Sequence, residues 1–183
     1  MEHPAKEPRS WRLRRATTRD VDALHALFSL PDVYRYLADG VAPARAVSEA
    51  WVAGNSTPRH GGLGLWLLVG DGWPVAGCVR LEERSSADSL ELTYVLHPAL
   101  WGRGLATRMG WSAICRAFGT GAVSEVVAGA DAPNRASLAV MRRLGMELLG
   151  AVDYPAGRGF EYVLRRDAGG PTPRPEPIGF EDE

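Results

Sequence analysis

Between residues 63 and 118 the spacing of apolar residues changes abruptly, and that change constrains the fold more than any other feature of the chain. The runs LGLWLLVG (63–70), VAGCVRLEE (75–83) and SLELTYVL (89–96) are short, apolar and separated by turn residues such as DGWP. Three such runs in close succession predict a β-meander. After HPALWGRG (97–104), Leu105, Met109, Ala113 and Ala117 recur at i, i+4 spacing. That period predicts an amphipathic helix over 105–118, stopped by Gly119 and Gly121. A meander that passes straight into a helix through a glycine turn implies an α/β domain.

The flanking segments extend this pattern. WRLRRAT (11–17) reads as a first strand, and a helix starts near Thr18, with Val21, Leu24, Leu27 and Phe28 on one face and Pro31 closing it. DVYRYL (32–37) forms a short helical turn, and PARAVSEAWVAG (43–54) forms another helix, with proline at a permitted first position. Downstream, VSEVVAGA (123–130) is a strand, and NRASLAVMRRLG (134–145) is a helix opened by asparagine and closed by glycine. MELLGAVDY (146–154) and FEYVLRR (160–166) make the last two strands, joined across a glycine-rich loop at 156–159. The expectation is one α/β domain over 11–166, with a mixed, mostly antiparallel central sheet flanked by helices. Residues 1–10 are expected to be flexible. The tail DAGGPTPRPEPIGFEDE (167–183) has four prolines and no period, so it is expected to be a disordered acidic segment, with Phe180 as a possible docking residue.

Charge and composition narrow the function. Of the 183 residues, 45% are hydrophobic and 23% charged, with a formal net charge of −1, the balance of an ordinary globular domain. The tail carries Asp167, Glu176, Glu181, Asp182 and Glu183 against Arg174, and no basic stripe appears elsewhere, so nucleic acid is not an expected partner. The two cysteines, Cys78 and Cys115, each sit in an apolar segment and read as buried thiols with no disulfide or metal signature. His3, His25, His60 and His97 lack ligand spacing, so no metal site is expected. No signal peptide or membrane span is recognisable, and a cytoplasmic location is the default expectation.

Around WGRG the order strand, glycines, helix can direct successive N–H groups of residues 102–106 at an anion, aided by the positive end of the helix dipole. The same order also suits a tight turn that binds nothing. It is not a P-loop, because no G-K-[ST] follows, and the dinucleotide pattern G-x-G-x-x-G fails at Thr107.

Trp101, Gly102, Arg103, Gly104, Leu105 and Ala106 match, except at the first position, the pattern [Q/R]-x-x-G-x-[G/A] of the GCN5-related N-acetyltransferase family, and the chain resembles that family over about residues 11–166. LELTYVLHP before the loop and NRASLAVMRRLGM after it fit the same resemblance. The tryptophan at the first position resembles the branch that acetylates protein N-termini, including ribosomal proteins, and several small amines. The resemblance implies acetyl-CoA as co-substrate and direct transfer to a primary amine. It implies a strand at Tyr94, Val95 and Leu96 that splays from its neighbour and pairs with the pantetheine arm, with the diphosphate at Trp101 to Thr107 and further contacts at Asn134 and Ser137. A monomer or homodimer is the family-level expectation.

Direct transfer requires alignment of the amine, a proton acceptor and no metal. Glu91 alternates with Leu90 and Leu92, so its carboxylate points away from theirs. It is a candidate base or ammonium ligand, or else a salt-bridged sheet residue. Ser137 is a candidate to contact the CoA arm or protonate its thiolate, or a hydroxyl bonded to its own helix. Glu161 on the last strand is a second candidate base, or a solvent-exposed side chain. Met141 stands where many relatives carry a tyrosine acid, leaving Tyr94, Tyr154 or Ser137 as substitutes. Trp66, Trp73 and Trp101 are substrate walls or packing residues. Residues 29–62, with Tyr34, Tyr36, Trp51 and Arg59, shape the acceptor site by resemblance. Arg35, Arg45 and Arg59 balance Asp32, Asp39 and Glu49, so a peptide N-terminus or small neutral amine is expected rather than a polycation. Two other readings stay open: a non-catalytic acyl-CoA-binding regulatory domain, and an interaction module using the acidic tail.

Overall fold

The computed structural model describes residues 10–37, 40–54, 64–84, 86–155 and 157–181; the N-terminal segment expected to be flexible lies outside these apart from Ser10, as do Asp39, Arg59 and His60. Eight strands form one sheet in the order β6-β7-β5-β4-β3-β2-β1-β8. They are β1 (Arg12–Arg15), β2 (Gly64–Gly70), β3 (Trp73–Glu83), β4 (Ser89–Leu96), β5 (Glu125–Asp131), β6 (Glu147–Tyr154), β7 (Gly157–Arg165) and β8 (Gly179–Phe180). β1 to β4 pair antiparallel in the expected meander, β4 and β5 pair parallel, and β5, β7 and β6 pair antiparallel.

Helices α1 (Val21–Phe28), α2 (Pro31–Leu37) and α3 (Arg45–Ala53) lie between β1 and β2, α4 (Leu105–Gly119) between β4 and β5, and α5 (Arg135–Arg143) between β5 and β6. Residues of β2 alternate between two cores. Leu65, Leu67 and Val69 pack with Val21, Leu24, Leu27 and Phe28 of α1, while Trp66 and Leu68 pack with α4 residues such as Met109, Ala113 and Ile114. A strand buried on both faces needs a continuous apolar run, which is why LWLLV lacks polar alternation. The i, i+4 face of α4 is buried as its spacing requires, with Leu105, Met109, Ala113 and Ala117 each at most 4% exposed. Ahead of α1, Asp20 accepts hydrogen bonds from both Nη atoms of Arg14 (2.6 and 2.9 Å) and from the Thr17 amide and hydroxyl (2.8 and 2.9 Å), tying β1 to the helical layer.

Three expectations are corrected. The tail is ordered over residues 167–181 and straps across α4: Gly170 lies against the Trp111 ring, Pro171 against Gly145, and the Ile178 amide donates to Ser112 Oγ at 2.7 Å. β8 then pairs parallel with β1, and Phe180 meets Trp66 edge to face at 4.8 Å. Burial of Ile178, at 2% exposed, is worth roughly 1.5–3 kcal/mol, which a segment without any repeating pattern can still gain from one well-seated side chain. Cys115 is exposed, since it sits one position round the helix from Ile114, which faces the core. The connection expected over 156–159 is shorter, because β7 begins at Gly157 and Gly159 pairs with both Asp131 and Val152.

Candidate active site

Between β4 and β5 the sheet opens. The two strands pair at only three positions, Ser89 with Glu125, Leu90 with Val126 and Glu91 with Val127, and then diverge. Beyond Glu91, β4 keeps its partner β3 on one side and presents its other edge to the gap. Two side chains finish that edge. Trp101 Nε1 donates to the Leu96 carbonyl at 2.8 Å, and Tyr94 Oη donates across the gap to the Ser137 carbonyl at 3.0 Å. Burial pushes the Tyr94 phenol well above its ordinary value, so it is fixed as a donor and is no reserve acid.

α4 points its N-terminus into the opening. Gly102 and Gly104 have φ of 75° and 74°, a left-handed conformation that only glycine adopts without strain, and a Cβ at either would meet nothing within 4 Å. Glycine is therefore demanded here by the backbone, while the space above it stays open. The first helical bond runs from the Arg108 amide to the Gly104 carbonyl at 3.0 Å, no side chain caps the helix, and its first turn contains no acid. The amides of Leu105, Ala106 and Thr107 thus have no i−4 partner in the helix, and the Thr107 hydroxyl is buried without a hydrogen-bond partner. Together they form a cradle for a bulky anion.

A cavity of about 670 Å3 runs from this cradle through the gap. It is lined by Glu91, Tyr94, Val95, Leu96, Trp101, Gly102, Gly104, Leu105, Ala106, Thr107, Asn134 and Ser137, all of them expected from the sequence. Arg103 and Glu161 are not on its wall. Asn134 caps α5, its Oδ1 accepting from the Ser137 amide at 3.2 Å. Asp32, Val33, Tyr36 and Leu37 of α2, within the region 29–62 expected to shape the acceptor site, line the cavity too, whereas sequence reasoning missed Gly129 and Ala130 of β5, and Ala136, Ala139, Val140 and Arg143 of α5. The α5 group has helical i, i+3 and i+7 spacing, so its face was recoverable from Ser137; the β5 residues carried no local signal.

At the far end Glu91 is exposed and lines the cavity, and among the described residues its side chain has neither an ion pair nor a hydrogen bond. Glu161 is instead ion-paired with Arg84, which leaves its carboxylate already engaged. Tyr154 lies over two strand glycines. A Cβ at Gly129 would fall 2.0 Å from its hydroxyl, and one at Gly159 would fall 2.4 Å from its ring. Burial, then Glu161, Glu91 and Asp131, raise the Tyr154 phenol, so this hydroxyl stays protonated beside the cavity wall at Gly129. Met141 is fully buried, and a tyrosine at that place would need a different local packing to reach the cavity. His97 caps its own turn, Nδ1 accepting from the Ala99 amide at 3.2 Å, with its ring against Trp73. Trp66 is core, Trp51 packs on Phe28 and carries Arg80 on its face, and only Trp101 of the candidate tryptophans lines the cavity. Among the described residues no group of three His, Cys, Asp or Glu side chains is placed to hold a metal ion, and no helix is long and apolar enough to cross a membrane.

The split in the sheet and the uncapped start of α4 thus open onto one cavity, with a strand edge along it and a helix N-terminus that can face an anion. Residues 11–147 match the family described as the acetyltransferase (GNAT) domain, and the chain belongs to that family. Solved structures share the fold. An AAC(6')-Ib complex with ribostamycin and coenzyme A superposes with a TM-score of 0.72 at 19% identity, covering 87% of this chain and 95% of that one. A GNAT acetyltransferase from Bacillus anthracis gives 0.72 at 17% identity, with 88% and 98% covered. The putative acetyltransferase yncA from Salmonella typhimurium, with acetyl-CoA, gives 0.70 at 19% identity, with 86% and 95% covered.

Proposed function

We propose that the protein transfers an acetyl group from acetyl-CoA directly to a primary amine. The observation that carries this reading is the coincidence of the β4–β5 opening with the uncapped start of α4. An amide-bearing arm can pair along the β4 edge at Tyr94, Val95 and Leu96, where the Leu96 carbonyl already accepts from Trp101, while the amides of residues 102–107 and the Thr107 hydroxyl hold the diphosphate. Acetyl-CoA supplies the activated acyl group as a thioester; the protein aligns the amine and takes its proton.

Glu91 is placed for that proton. It is the one exposed, unengaged carboxylate among the expected candidates, and it stands where β4 and β5 part. Glu161, held by Arg84, shapes the electrostatics of the pocket instead. Ser137 lies within the cavity to contact the arm or the departing thiolate, and the Tyr154 hydroxyl is a protonated neighbour at the acceptor end. A thiolate is a tolerable leaving group, so an acid at position 141 is dispensable.

The acceptor we favour is the N-terminus of a peptide or protein, as the WGRG sequence suggests, or a small amine. Mass spectrometry of reactions with acetyl-CoA and a panel of N-terminal peptides, polyamines, aminoglycosides and small amines tests this. A product heavier by one acetyl group supports the reading and selects the acceptor. Acetyl-CoA binding without any product would favour a non-catalytic acyl-CoA-binding domain.

A further inference from the structure

A second cavity adjoins the acceptor end of the first. It has a volume of about 570 Å3 and is lined by Arg35 and Tyr36 of α2, Gly40, Asp131, Ala132, Pro133, and Arg158 of β7. The two cavities share Tyr36, and consecutive residues of β5 pass from one to the other: Gly129 and Ala130 line the first and Asp131 the second. A molecule with its amine at Glu91 can therefore continue into the second cavity without leaving the protein surface.

The charge there differs from that around Glu91. Arg35 and Arg158 are both exposed, and neither has an ion pair or side-chain hydrogen bond among the described residues. The Arg35 guanidinium rests over the Tyr36 ring, 5.8 Å from its centroid. Asp153 is the cross-strand neighbour of Arg158, yet no ion pair joins them. Asp131 contributes the single carboxylate of the described wall, so two guanidiniums outweigh it. Other exposed arginines are divided: Arg12, Arg45 and Arg108 are engaged by carboxylates, whereas Arg19, Arg135, Arg142 and Arg143 have no ion pair among the described residues. Arg35 and Arg158 thus bring two guanidiniums without an ion pair among the described residues to one concave site, and a guanidinium's planar donors suit a carboxylate.

We infer that the acceptor is an amine that also carries a carboxylate, its ammonium held at Glu91 and its carboxylate between Arg35 and Arg158. This rests on the transferase reading above and narrows it to acidic peptide N-termini, because Glu91 pairs with Val127 and the second cavity begins at Asp131, about 13 Å further along β5, a span too long for a free amino acid. It separates the protein from enzymes of polycationic amines, for which two arginines at the rim would be repulsive.

The test compares matched substrates. Peptides with free N-termini and Asp or Glu at position 2 or 3 are assayed against their Asn or Gln counterparts, a lysine counterpart and free glutamate, with acetyl-CoA affinity measured separately by calorimetry. The acidic peptides should show kcat/KM about tenfold above their amide counterparts, mainly through KM, as one charge-assisted contact would give. In Arg35→Ala/Arg158→Ala that ratio should fall to near one, and in Arg158→Glu the lysine peptide should gain. A preference for the acidic peptides locates the carboxylate on a side chain, and preference for free glutamate over them would overturn the inference, since one amino acid does not span the two sites. A wild-type ratio of one or below, or preference for the lysine peptide, would overturn the inference while leaving the transferase reading intact. Loss of acetyl-CoA affinity in the double variant would assign the arginines to the cofactor and also overturn it. Absence of acetylation on every amine would instead defeat the transferase reading, and this inference with it.

Discussion

The two halves of the cleft are built from different materials. The proposed cofactor half is made of backbone: two left-handed glycines, three amides at the start of α4 and the open edge of β4. The proposed acceptor half is made of side chains: Glu91, Tyr154, the Arg84–Glu161 pair, Arg35 and Arg158. A backbone site depends on where the chain goes and tolerates side-chain change wherever the conformation survives. A side-chain site fails one residue at a time. Glycine shows the contrast most sharply, because Gly104 is required by its left-handed backbone and leaves the space beside it open, whereas Gly129 and Gly159 have ordinary backbone and the space a side chain would take is filled by Tyr154.

Substitutions that act on one half alone break or sharpen this contrast. Glu91→Gln should lower kcat by about a hundredfold or more, the usual contribution of a positioned base, while acetyl-CoA affinity stays within about twofold. Steady-state kinetics with calorimetry checks it, and a normal rate at every pH removes Glu91 as the base. Gly104→Trp should do the reverse, weakening acetyl-CoA by roughly a hundredfold, ~2.8 kcal/mol, by filling the cradle. Titration of the folded variant decides this, and unchanged affinity would displace the proposed anion site.

Smaller effects test the acceptor-side glycines. Gly159→Ala should cost about 1–3 kcal/mol in denaturant unfolding, because its Cβ would meet ring carbons and, at 2.6 Å, the Ala130 carbonyl oxygen. Gly129→Ala should cost less, since the obstacle is the mobile end of Tyr154, and adding Tyr154→Phe should restore most of the loss because the next atom lies at 3.2 Å. Equal costs without rescue would mean that Tyr154 does not occupy that place. The smallest effect lies away from the cleft. The Arg14 hydrogen bonds, followed by those of Thr17, hold the Asp20 carboxyl below its ordinary value of 3.8. Its stabilisation is therefore complete above that value and is lost as pH falls through the lower folded-state value. Thermal melts between pH 5 and 2 should show this acid-side loss, reduced in Asp20→Asn.

The same division explains what could be read from the chain. The bounds of β4 and the start of α4 follow from local period and glycine placement, so the lining that these two elements supply was legible, while most of that from α5 and all of that from β5 was not. Glu91 could be found because strand alternation separates it from Leu90 and Leu92. Glu161 looked equivalent by the same rule, yet its partner Arg84 is 77 residues away and no local pattern reveals the pair. The tail misled for a related reason. Its order comes from single contacts made by Gly170, Pro171, Ile178 and Phe180, and a prolyl segment without period gives no sign of them. Arg35 of α2 and Arg158 of β7 line one cavity, and no local pattern reveals that they do.

The most direct test of the central claim is an amide chemical-shift titration of the labelled protein with acetyl-CoA. The account predicts the largest changes at the amides of residues 102–107 and along β4 from Thr93 to Leu96, with small changes at Arg158. Saturable binding with its largest changes elsewhere, or no binding at all, would contradict it.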